Sequence, residues 1–279
     1  MKLIVDSGTT KTHWVLLGGT HITENFVTPG FNPYYTPDET IRQIMSTGLP
    51  ESMQNKKVKE VFFYGTGCST TENCTLLKTI LNDFFEEATI EMHHDLYGAA
   101  VALLKNREGI AAILGTGSNS CLWNGHEIVE SVPSLGWLIG DEGSATYLGK
   151  ILLRAFLSGK MSAKSTNAFY RYTGLDFEGT LHKIYKDNGA NRWIADLSHF
   201  ASTNIEREEI CDLVKQNFRD FLSAQIKKYT ACREMEISFV GSVAWHFKDI
   251  LREVMQEENL HTGIILQQPM DGLIEFHSV

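Results

Sequence analysis

The sequence predicts an α/β fold with a duplicated architecture. Short apolar runs typical of strands alternate with longer segments whose apolar residues recur at helical spacing. The order strand, glycine- and hydroxyl-rich turn, strand, strand occurs at residues 2–27 and again at residues 110–131. Such an internal repeat indicates two related units. We place their boundary near residues 105–109, which gives units 1–106 and 107–279. The second would carry a helical insertion, and the end of the chain could return to the first.

The first unit is predicted from strand patterns and turn residues. A loop at residues 28–34 contains two prolines and a glycine, which excludes regular structure there. Acidic residues after Pro37 indicate a helix start. The predicted strands are 2–6, 13–18, 21–27, 59–64 and 89–92, and the predicted helices are 37–46, 72–87 and 96–105.

The second unit repeats the strand pattern and then becomes mostly helical. Asn124-Gly125 is a strong hairpin signal between two of its strands. The region 160–230 reads as helical, with its longest helix at 205–229, and residues 269–279 are ambiguous. The predicted strands are 110–114, 120–123, 128–131, 236–240 and 264–266, and the other predicted helices are 145–157 and 241–256.

Composition and charge exclude several classes of protein. Of the 279 residues, 43% are hydrophobic and 21% charged, which is ordinary for a globular protein. The net charge of −9 argues against a nucleic-acid surface, and no run approaches transmembrane length. The five cysteines form no C-x-x-C pair, so metal, haem and disulfide frameworks are not indicated. We expect reduced thiols, no secretion signal and a cytoplasmic protein with no membrane or nucleic-acid partner.

The stretch from Asp6 to Thr12 has the chemistry of a phosphate-binding turn. Glycine allows the backbone to approach an anion, and successive N–H groups in such a bend form an anion-binding nest. Serine and threonine hydroxyls add donors. A carboxylate beside a phosphate normally needs a cation between them, so Asp6 suggests Mg²⁺, held directly or through water. Taken alone, the stretch could equally be a polar hairpin turn, with Lys11 merely solvated.

Other parts of the chain favour the phosphate interpretation. Glycine-rich turns follow strands at residues 115–119 and 241–244, and Asp95 and Asp141 occupy similar settings. Since the ends of parallel strands converge on one crevice where ligands bind, this pattern indicates a nucleotide enzyme. The P-loop and the dinucleotide-binding fingerprint are both missing from the sequence.

The ordered set of motifs resembles the BadF/BadG/BcrA/BcrD ATPase family, most closely its N-acetylglucosamine kinases. It comprises Asp6-Ser7-Gly8-Thr9-Thr10-Lys11-Thr12, Asp95, Leu114-Gly115-Thr116-Gly117-Ser118-Asn119, Gly140-Asp141-Glu142-Gly143-Ser144 and Gly241-Ser242-Val243-Ala244. That family belongs to the sugar kinase, Hsp70 and actin superfamily. The resemblance therefore implies two ribonuclease-H-like domains flanking an ATP cleft.

The resemblance also implies residue roles. Asp95 would be the catalytic base, and two phosphate loops and an adenosine loop would bind ATP. The implied ATP-binding residues are Ser7, Gly8, Thr9, Thr10, Lys11, Gly115, Thr116, Gly117, Ser118, Gly241 and Ser242. The implied sugar-binding residues are Asn32, Asp95, Asn119, Ser134, Leu135, Gly136 and Asp141.

The function that the resemblance implies is ATP- and Mg²⁺-dependent phosphorylation of an amino sugar by a homodimer. N-acetylglucosamine, giving the 6-phosphate, is the expected substrate; glucosamine and N-acetylmuramic acid are alternatives. The segment Ser134-Leu135-Gly136-Trp137 departs from the Gly-Trp-Gly-His common in the family. An ATP-driven dehydratase activator with an iron–sulfur cluster and a non-catalytic sugar or nucleotide sensor are the other classes.

Structural roles compete with the functional ones. Asp95 could be a helix N-cap, and Asp141 and Glu142 could cap the helix that begins near Ser144. Asn32 could be an ordinary turn residue. His93-His94 would point to opposite faces of a strand, which favours one packed and one polar side chain over a metal site.

Overall fold

The computed structural model describes residues 1–50, 53, 57–68, 70–187 and 189–278. Its contacts divide the chain into two units. One comprises residues 1–106 and the segment from Pro269 onwards, and the other comprises residues 107–268. Each unit has its own five-stranded sheet and its own hydrophobic core.

The first unit orders its sheet β3-β2-β1-β4-β5. The strands β1, β2 and β3 are antiparallel neighbours, whereas β1, β4 and β5 are parallel. The residues Leu3, Ile4 and Val5 are all fully buried, as expected for a central strand covered on both faces. The elements are β1 (Lys2–Ser7), β2 (Lys11–Gly18), β3 (His21–Pro29), α1 (Asp38–Gly48), β4 (Glu60–Gly65), α2 (Thr71–Phe84), β5 (Thr89–His94) and α3 (Asp95–Leu104).

The second unit orders its sheet β10-β9-β6-β7-β8. Its strands are β6 (Glu108–Leu114), β7 (Ser118–Asn124), β8 (Ile128–Ser131), β9 (Glu236–Val240) and β10 (His261–Leu266). Its helices are α4 (Gly136–Ile139), α5 (Ala145–Leu157), α6 (Ala163–Thr173), α7 (Phe177–Lys186), α8 (Ala190–Asp196), α9 (Ser198–Thr203), α10 (Glu208–Ala224), α11 (Ser242–His246) and α12 (Lys248–Glu257). A short 3₁₀ helix, Ile226–Lys228, follows α10.

The two sheets share one topology. Written from its hairpin edge, the second sheet is β8-β7-β6-β9-β10, with an antiparallel pair of hairpins on one side of β6 and parallel strands on the other. The first sheet has the same arrangement around β1. The predicted α/β class and duplicated architecture are confirmed.

The last helix, α13 (Met270–His277), packs within the first unit. A Cβ at Gly272 would lie 2.3 Å from the carbonyl oxygen of Ala102, so α13 and α3 are in close backbone contact. Tyr64 Oη and His277 Nε2 share a buried 2.8 Å hydrogen bond, and Lys2 Nζ donates to the His277 carbonyl. These contacts attach the end of the chain to β1 and β4.

Several predicted boundaries were wrong for identifiable reasons. The strand β3 continues to Pro29, which is tolerated because β3 is at the sheet edge. The predicted helix at 205–229 is the shorter α10, which ends at Ala224 before the 3₁₀ turn. The predicted helix at 241–256 divides at Phe247 into α11 and α12. Within the helical region 160–230, residue 188 lies outside the described part of the chain. No helix among the described residues is long and apolar enough to cross a membrane.

Candidate functional site

The first group of candidate residues gathers at the carboxyl ends of β1, β4 and β5. Asp6 pairs with Tyr64 in β4, and Tyr64 pairs with His93 in β5. Asp95 follows β5 directly as the first residue of α3. Three parallel strands thus end side by side, which is where ligands bind in open α/β sheets.

The turn at residues 7–12 is tight and closed by its own atoms. The Gly8 amide donates to the Lys11 carbonyl at 2.9 Å, and the Ser7 and Thr12 hydroxyls share a buried 2.9 Å hydrogen bond. Thr9 and Thr10 are exposed at its tip, as is Lys11. The Ser7 hydroxyl is therefore engaged inside the turn, whereas the threonines at its tip are free to face a ligand.

Gly30 supports this turn from beneath. Its amide donates to the Thr10 carbonyl at 3.0 Å, and a Cβ built on it would lie 2.2 Å from the Gly8 carbonyl oxygen. No side chain fits at this contact, so the approach of the two backbones requires glycine. In the sequence Gly30 reads only as a loop residue; its contact with the turn was missed.

Asp6 and Asp95 form a partly buried pair of like charges. Burial, together with the nearby Asp95 carboxylate, raises the pKa of Asp6 to about 7, and Lys11 opposes this shift. Burial likewise raises the pKa of Asp95, against the opposing effects of His94 and of the backbone amide of Leu96. That amide donates to Asp95 Oδ1 at 2.9 Å, which fixes the direction of the carboxyl group.

The N-cap of α3 is His94 rather than Asp95. His94 Nδ1 accepts a hydrogen bond from the Tyr97 amide at 3.2 Å, so Asp95 is left free of the capping role. His93 stacks on the Tyr97 ring, with centroids 4.3 Å apart. Burial lowers the pKa of both histidines, which favours the neutral imidazoles. The pair therefore has packing and capping roles.

Asn32 lies buried on the loop that follows β3. Its Oδ1 accepts from the Tyr34 amide at 3.0 Å, so it does form the turn that its sequence setting suggested. The same oxygen lies 2.6 Å from where a Cβ at Gly67 would be, and Gly67 has φ +83°. The turn after β4 is thereby packed against the Asn32 side chain. The amide is held rigidly, as a binding group requires.

The second group of candidate residues gathers at the ends of β6 and β9. The Gly115 amide donates to the Gly117 carbonyl at 3.0 Å and forms a tight turn between β6 and β7. Gly241 has φ +128°, and a Cβ there would lie 2.3 Å from the Leu114 carbonyl oxygen. Thr116 and Ser242 are exposed beside these glycines, whereas Ser118 is buried. The two glycine turns are thus in direct backbone contact.

Asp141 is held against the first of these turns. Its Oδ1 accepts from the Ser134 hydroxyl at 3.1 Å, and its Oδ2 is 3.0 Å from where a Cβ at Gly117 would be. Its φ of +60° is a conformation that aspartate adopts more readily than most residues but that still costs energy. Burial raises its pKa, opposed first by the Ser134 hydrogen bond. Backbone strain of this kind is concentrated at functional sites.

Neither Asp141 nor Glu142 is the N-cap of α5. That role belongs to Ser144, whose hydroxyl accepts from the Tyr147 amide at 3.0 Å.

The other predicted sugar residues have distinct settings. Asn119 Oδ1 accepts from the Ser120 amide, and Leu135 and Ser134 are exposed beside Gly136, whose φ is +73°.

Two further residues that hold this segment were also missed in the sequence. Lys150 Nζ in α5 donates to the carbonyls of Trp137 and Gly140, and Asn217 Oδ1 in α10 accepts from the Gly143 amide. Nothing in the sequence distinguishes Lys150 from an ordinary lysine of an amphipathic helix. Asn217 occupies an apolar position of α10, and a polar residue among buried ones was the only available signal.

The donors around Asp6 suit a magnesium ion that is largely hydrated. The Asp95 carboxylate makes it less favourable for Asp6 to be charged, and a cation between or beside the two carboxylates would relieve this repulsion. No cluster of three or more His, Cys, Asp or Glu side chains suitable for a metal occurs among the described residues. Magnesium is commonly bound by one or two carboxylates with water and substrate phosphates, which fits this set.

Two copies of one five-stranded topology, each with glycine turns at its parallel strand ends, define the actin, Hsp70 and sugar-kinase type of fold. The model of the BadF/BadG/BcrA/BcrD ATPase family matches residues 5–273, and the chain belongs to that family. Family membership implies the use of ATP, and family and fold together identify an enzyme of the sugar-kinase type.

Individual relatives are similar over most of the chain. A curated N-acetylmuramic acid/N-acetylglucosamine kinase of Clostridium acetobutylicum is 26% identical over 219 residues, covering 73% of this chain and 71% of the relative. The crystal structure of a candidate N-acetylglucosamine kinase from Porphyromonas gingivalis is 35% identical, with a TM-score of 0.94 over 100% of this chain and 99% of that one. A second candidate N-acetylglucosamine kinase, from Chromobacterium violaceum, shares the fold at 16% identity and a TM-score of 0.72, covering 99% and 98% of the two chains.

Proposed function

We propose that the protein transfers the γ-phosphoryl group of ATP to N-acetylglucosamine and forms N-acetylglucosamine 6-phosphate. The observation that carries this proposal is the partly buried Asp95 carboxyl at the end of β5, beside Asp6 and the glycine turn of the same unit. A fixed carboxylate of raised pKa is suited to accept a proton from a sugar hydroxyl. The names of the relatives from C. acetobutylicum and P. gingivalis support an amino sugar as the acceptor.

In the proposed reaction Asp95 is the general base. As the sugar oxygen forms its bond to the γ-phosphorus and the bond to the bridging oxygen breaks, the hydroxyl proton passes to Asp95. A base works best when its pKa is near the operating pH, so the upward shift produced by burial favours this role. The hydrogen bond from the Leu96 amide leaves the other carboxylate oxygen available.

Phosphoryl transfer depends mainly on positioning and on charge neutralisation. We propose that the backbone amides and hydroxyls at the tips of turns 7–12 and 115–118 bind the phosphates, and that Gly241 and Ser242 contact the adenosine. Asp6 would hold Mg²⁺, directly or through water, and the ion would neutralise phosphate charge. Asp95, Asn32, Asn119, Ser134, Leu135, Gly136 and Asp141 are the proposed sugar contacts.

Other acceptors and one other class remain to be compared by experiment. The name of the C. acetobutylicum relative includes N-acetylmuramic acid as well as N-acetylglucosamine, so N-acetylmuramic acid is the first alternative acceptor. A dehydratase activator would bind an iron–sulfur cluster through thiolates. Burial instead raises the pKa of both Cys68 and Cys121 to about 12, which keeps these two as thiols. We propose a homodimer as the working assembly, to be checked by light scattering.

The test is a coupled ADP-release assay over N-acetylglucosamine, N-acetylmuramic acid, glucosamine and glucose, with and without Mg²⁺. We expect the highest kcat/KM for N-acetylglucosamine, a 6-phosphate product by NMR, and loss of activity in EDTA. ADP release that no sugar stimulates, or a brown protein with an iron–sulfur absorbance spectrum, would contradict the proposal.

A further inference from the structure

The segment from Ser134 to Gly143 is fixed by side chains that lie outside the proposed site. It carries Gly136 and Asp141, two of the proposed sugar contacts, yet its helix α4 buries none of its own residues. Leu138 and Ile139 are 70% and 72% exposed. Trp137 is 38% exposed and is the one apolar side chain of α4 that is more than half covered, so polar contacts contribute strongly to the position of the helix.

Lys150 supplies contacts at one end of this segment. Its Nζ donates to the Trp137 carbonyl at 2.6 Å and to the Gly140 carbonyl at 3.1 Å. Carbonyls at the end of a helix lack intrahelical partners, and a cation there also interacts favourably with the helix dipole. One ammonium group therefore joins α4 and the start of the Asp141 turn to the longer helix α5.

Asn217 fixes the other end. Its side chain is fully buried in α10, and its Oδ1 accepts from the Gly143 amide at 3.1 Å. A Cβ at Gly143 would lie 2.7 Å from that of Phe221, so α10 also packs directly on the turn. Asp141 thus lies between two anchored points, Gly140 and Gly143.

We propose that Lys150 is a positioning residue of the sugar site: its two hydrogen bonds hold the backbone from Trp137 to Gly140 and thereby orient the Asp141 carboxylate and the Gly136 backbone. The inference rests on the proposed function for its consequence in catalysis, but the anchoring itself does not. Burial lowers the pKa of Lys150, and its attraction to the carboxylates of Asp141 and Glu142 opposes that shift.

The test compares Lys150→Met, Lys150→Gln and the control Arg154→Met. Arg154 lies one turn further along α5 and is exposed, so its replacement removes a cation from the same helix without touching α4. Methionine keeps the unbranched apolar stem of lysine but has no donor; glutamine is of similar length to methionine and keeps an uncharged amide donor. Hydrogen exchange of residues 134–143 and the KM values for sugar and ATP are measured in all variants.

We expect Lys150→Met to exchange faster at residues 136–141 and to raise the sugar KM about tenfold, with the ATP KM within about twofold of the unmodified protein. Lys150→Gln should be intermediate, and Arg154→Met should match the unmodified protein. Gln also serves as the test variant if the Met variant does not fold.

The proposal is overturned by unchanged exchange in 136–141, or by sugar and ATP KM values that rise together, since a general loss of structure would produce that result. If the unmodified protein phosphorylates none of the sugars, the proposed function fails. The exchange comparison still decides whether Lys150 anchors the segment.

Discussion

The two units have the same sheet but different chemistry at the end of the central strand. In the first, Asp6 pairs with Tyr64, the residue before Gly65; in the second, Ile113 pairs with Val240, the residue before Gly241. The equivalent position therefore carries a carboxylate in one unit and an aliphatic side chain in the other.

The third parallel strand shows the same contrast. Asp95 follows β5, whereas Gln267 follows β10. The first unit thus concentrates ionisable groups whose pKa values are shifted by burial, and the second offers glycine turns with an acid, Asp141, supplied from a loop outside the sheet. In the proposed mechanism, proton and cation chemistry belongs to the first copy, whereas both copies supply a phosphate-binding turn.

Replacing Asp95 should produce the largest effect, because the second unit has no counterpart that could take over. Asp95→Asn keeps the shape and removes the base, so kcat should fall about 10²–10⁴-fold while the sugar KM changes little. Steady-state kinetics with N-acetylglucosamine measure both. Asp141→Asn is the comparison from the second unit and should act mainly on the sugar KM. Near-normal turnover of Asp95→Asn would refute the assignment.

Asp6 makes the stability of the first unit pH-dependent. Its pKa is about 7 when folded against an ordinary 3.8, so the folded chain binds the proton more tightly than the unfolded chain. The stability is then greatest below pH 3.8 with respect to this group and declines as pH rises to about 7. The shift of the Asp6 pKa from 3.8 to about 7 corresponds to a loss of about 4 kcal/mol in the free energy of unfolding.

Asp6→Asn should flatten that decline and stabilise the protein at pH 8, as measured by urea unfolding in EDTA from pH 5 to pH 8. Adding Mg²⁺ to the unmodified protein should recover part of the loss. Equal slopes for both proteins would show that Asp6 does not carry the shifted proton.

Replacing Gly241 tests how backbone packing contributes to the free energy of unfolding of the second unit. Gly241→Ala places a methyl group 2.3 Å from the Leu114 carbonyl oxygen at φ +128°, so the turn at 115–117 must move. We expect a loss of about 2–3 kcal/mol and a higher ATP KM. Gly115→Ala is the matched control for stability, because its Cβ would meet no atom within 4 Å. Equal losses in the two variants would contradict the packing argument.

The sequence was sufficient for the parts of the fold that depend on local pattern. The helix predicted at 145–157 is found as Ala145–Leu157, since Ser144 caps it and its apolar residues recur at helical spacing. The strands at 128–131 and 236–240 were likewise located correctly. Duplication was visible because the order of turns and strands repeats.

What the sequence lacked was long-range contact. His94 and Asp95 are neighbours that could each accept a hydrogen bond at the N-terminus of α3. The position at which the helix begins decides that His94 is the N-cap and that Asp95 does not have the capping role. Gly30 and Gly241 are required by backbone atoms of distant residues, and Asn217 reaches Gly143 across 74 positions. Periodicity reports which face of an element is buried, whereas these roles depend on what that face meets.

Ser7 and Thr9 provide the finest test of the first unit's turn. The Ser7 hydroxyl is buried and hydrogen-bonded to the Thr12 hydroxyl. Ser7→Ala therefore leaves the buried Thr12 hydroxyl without its partner and should lower the free energy of unfolding by about 1 kcal/mol. Thr9 is exposed at the tip, so Thr9→Ala should leave stability unchanged within about 0.5 kcal/mol. Urea unfolding measures both. In the second unit the residue equivalent to Ser7 is the buried Leu114, which packs into the core and forms no such bond. If Thr9→Ala were the more damaging change, the turn would be held by its tip and the contrast between the two units would have to be redrawn.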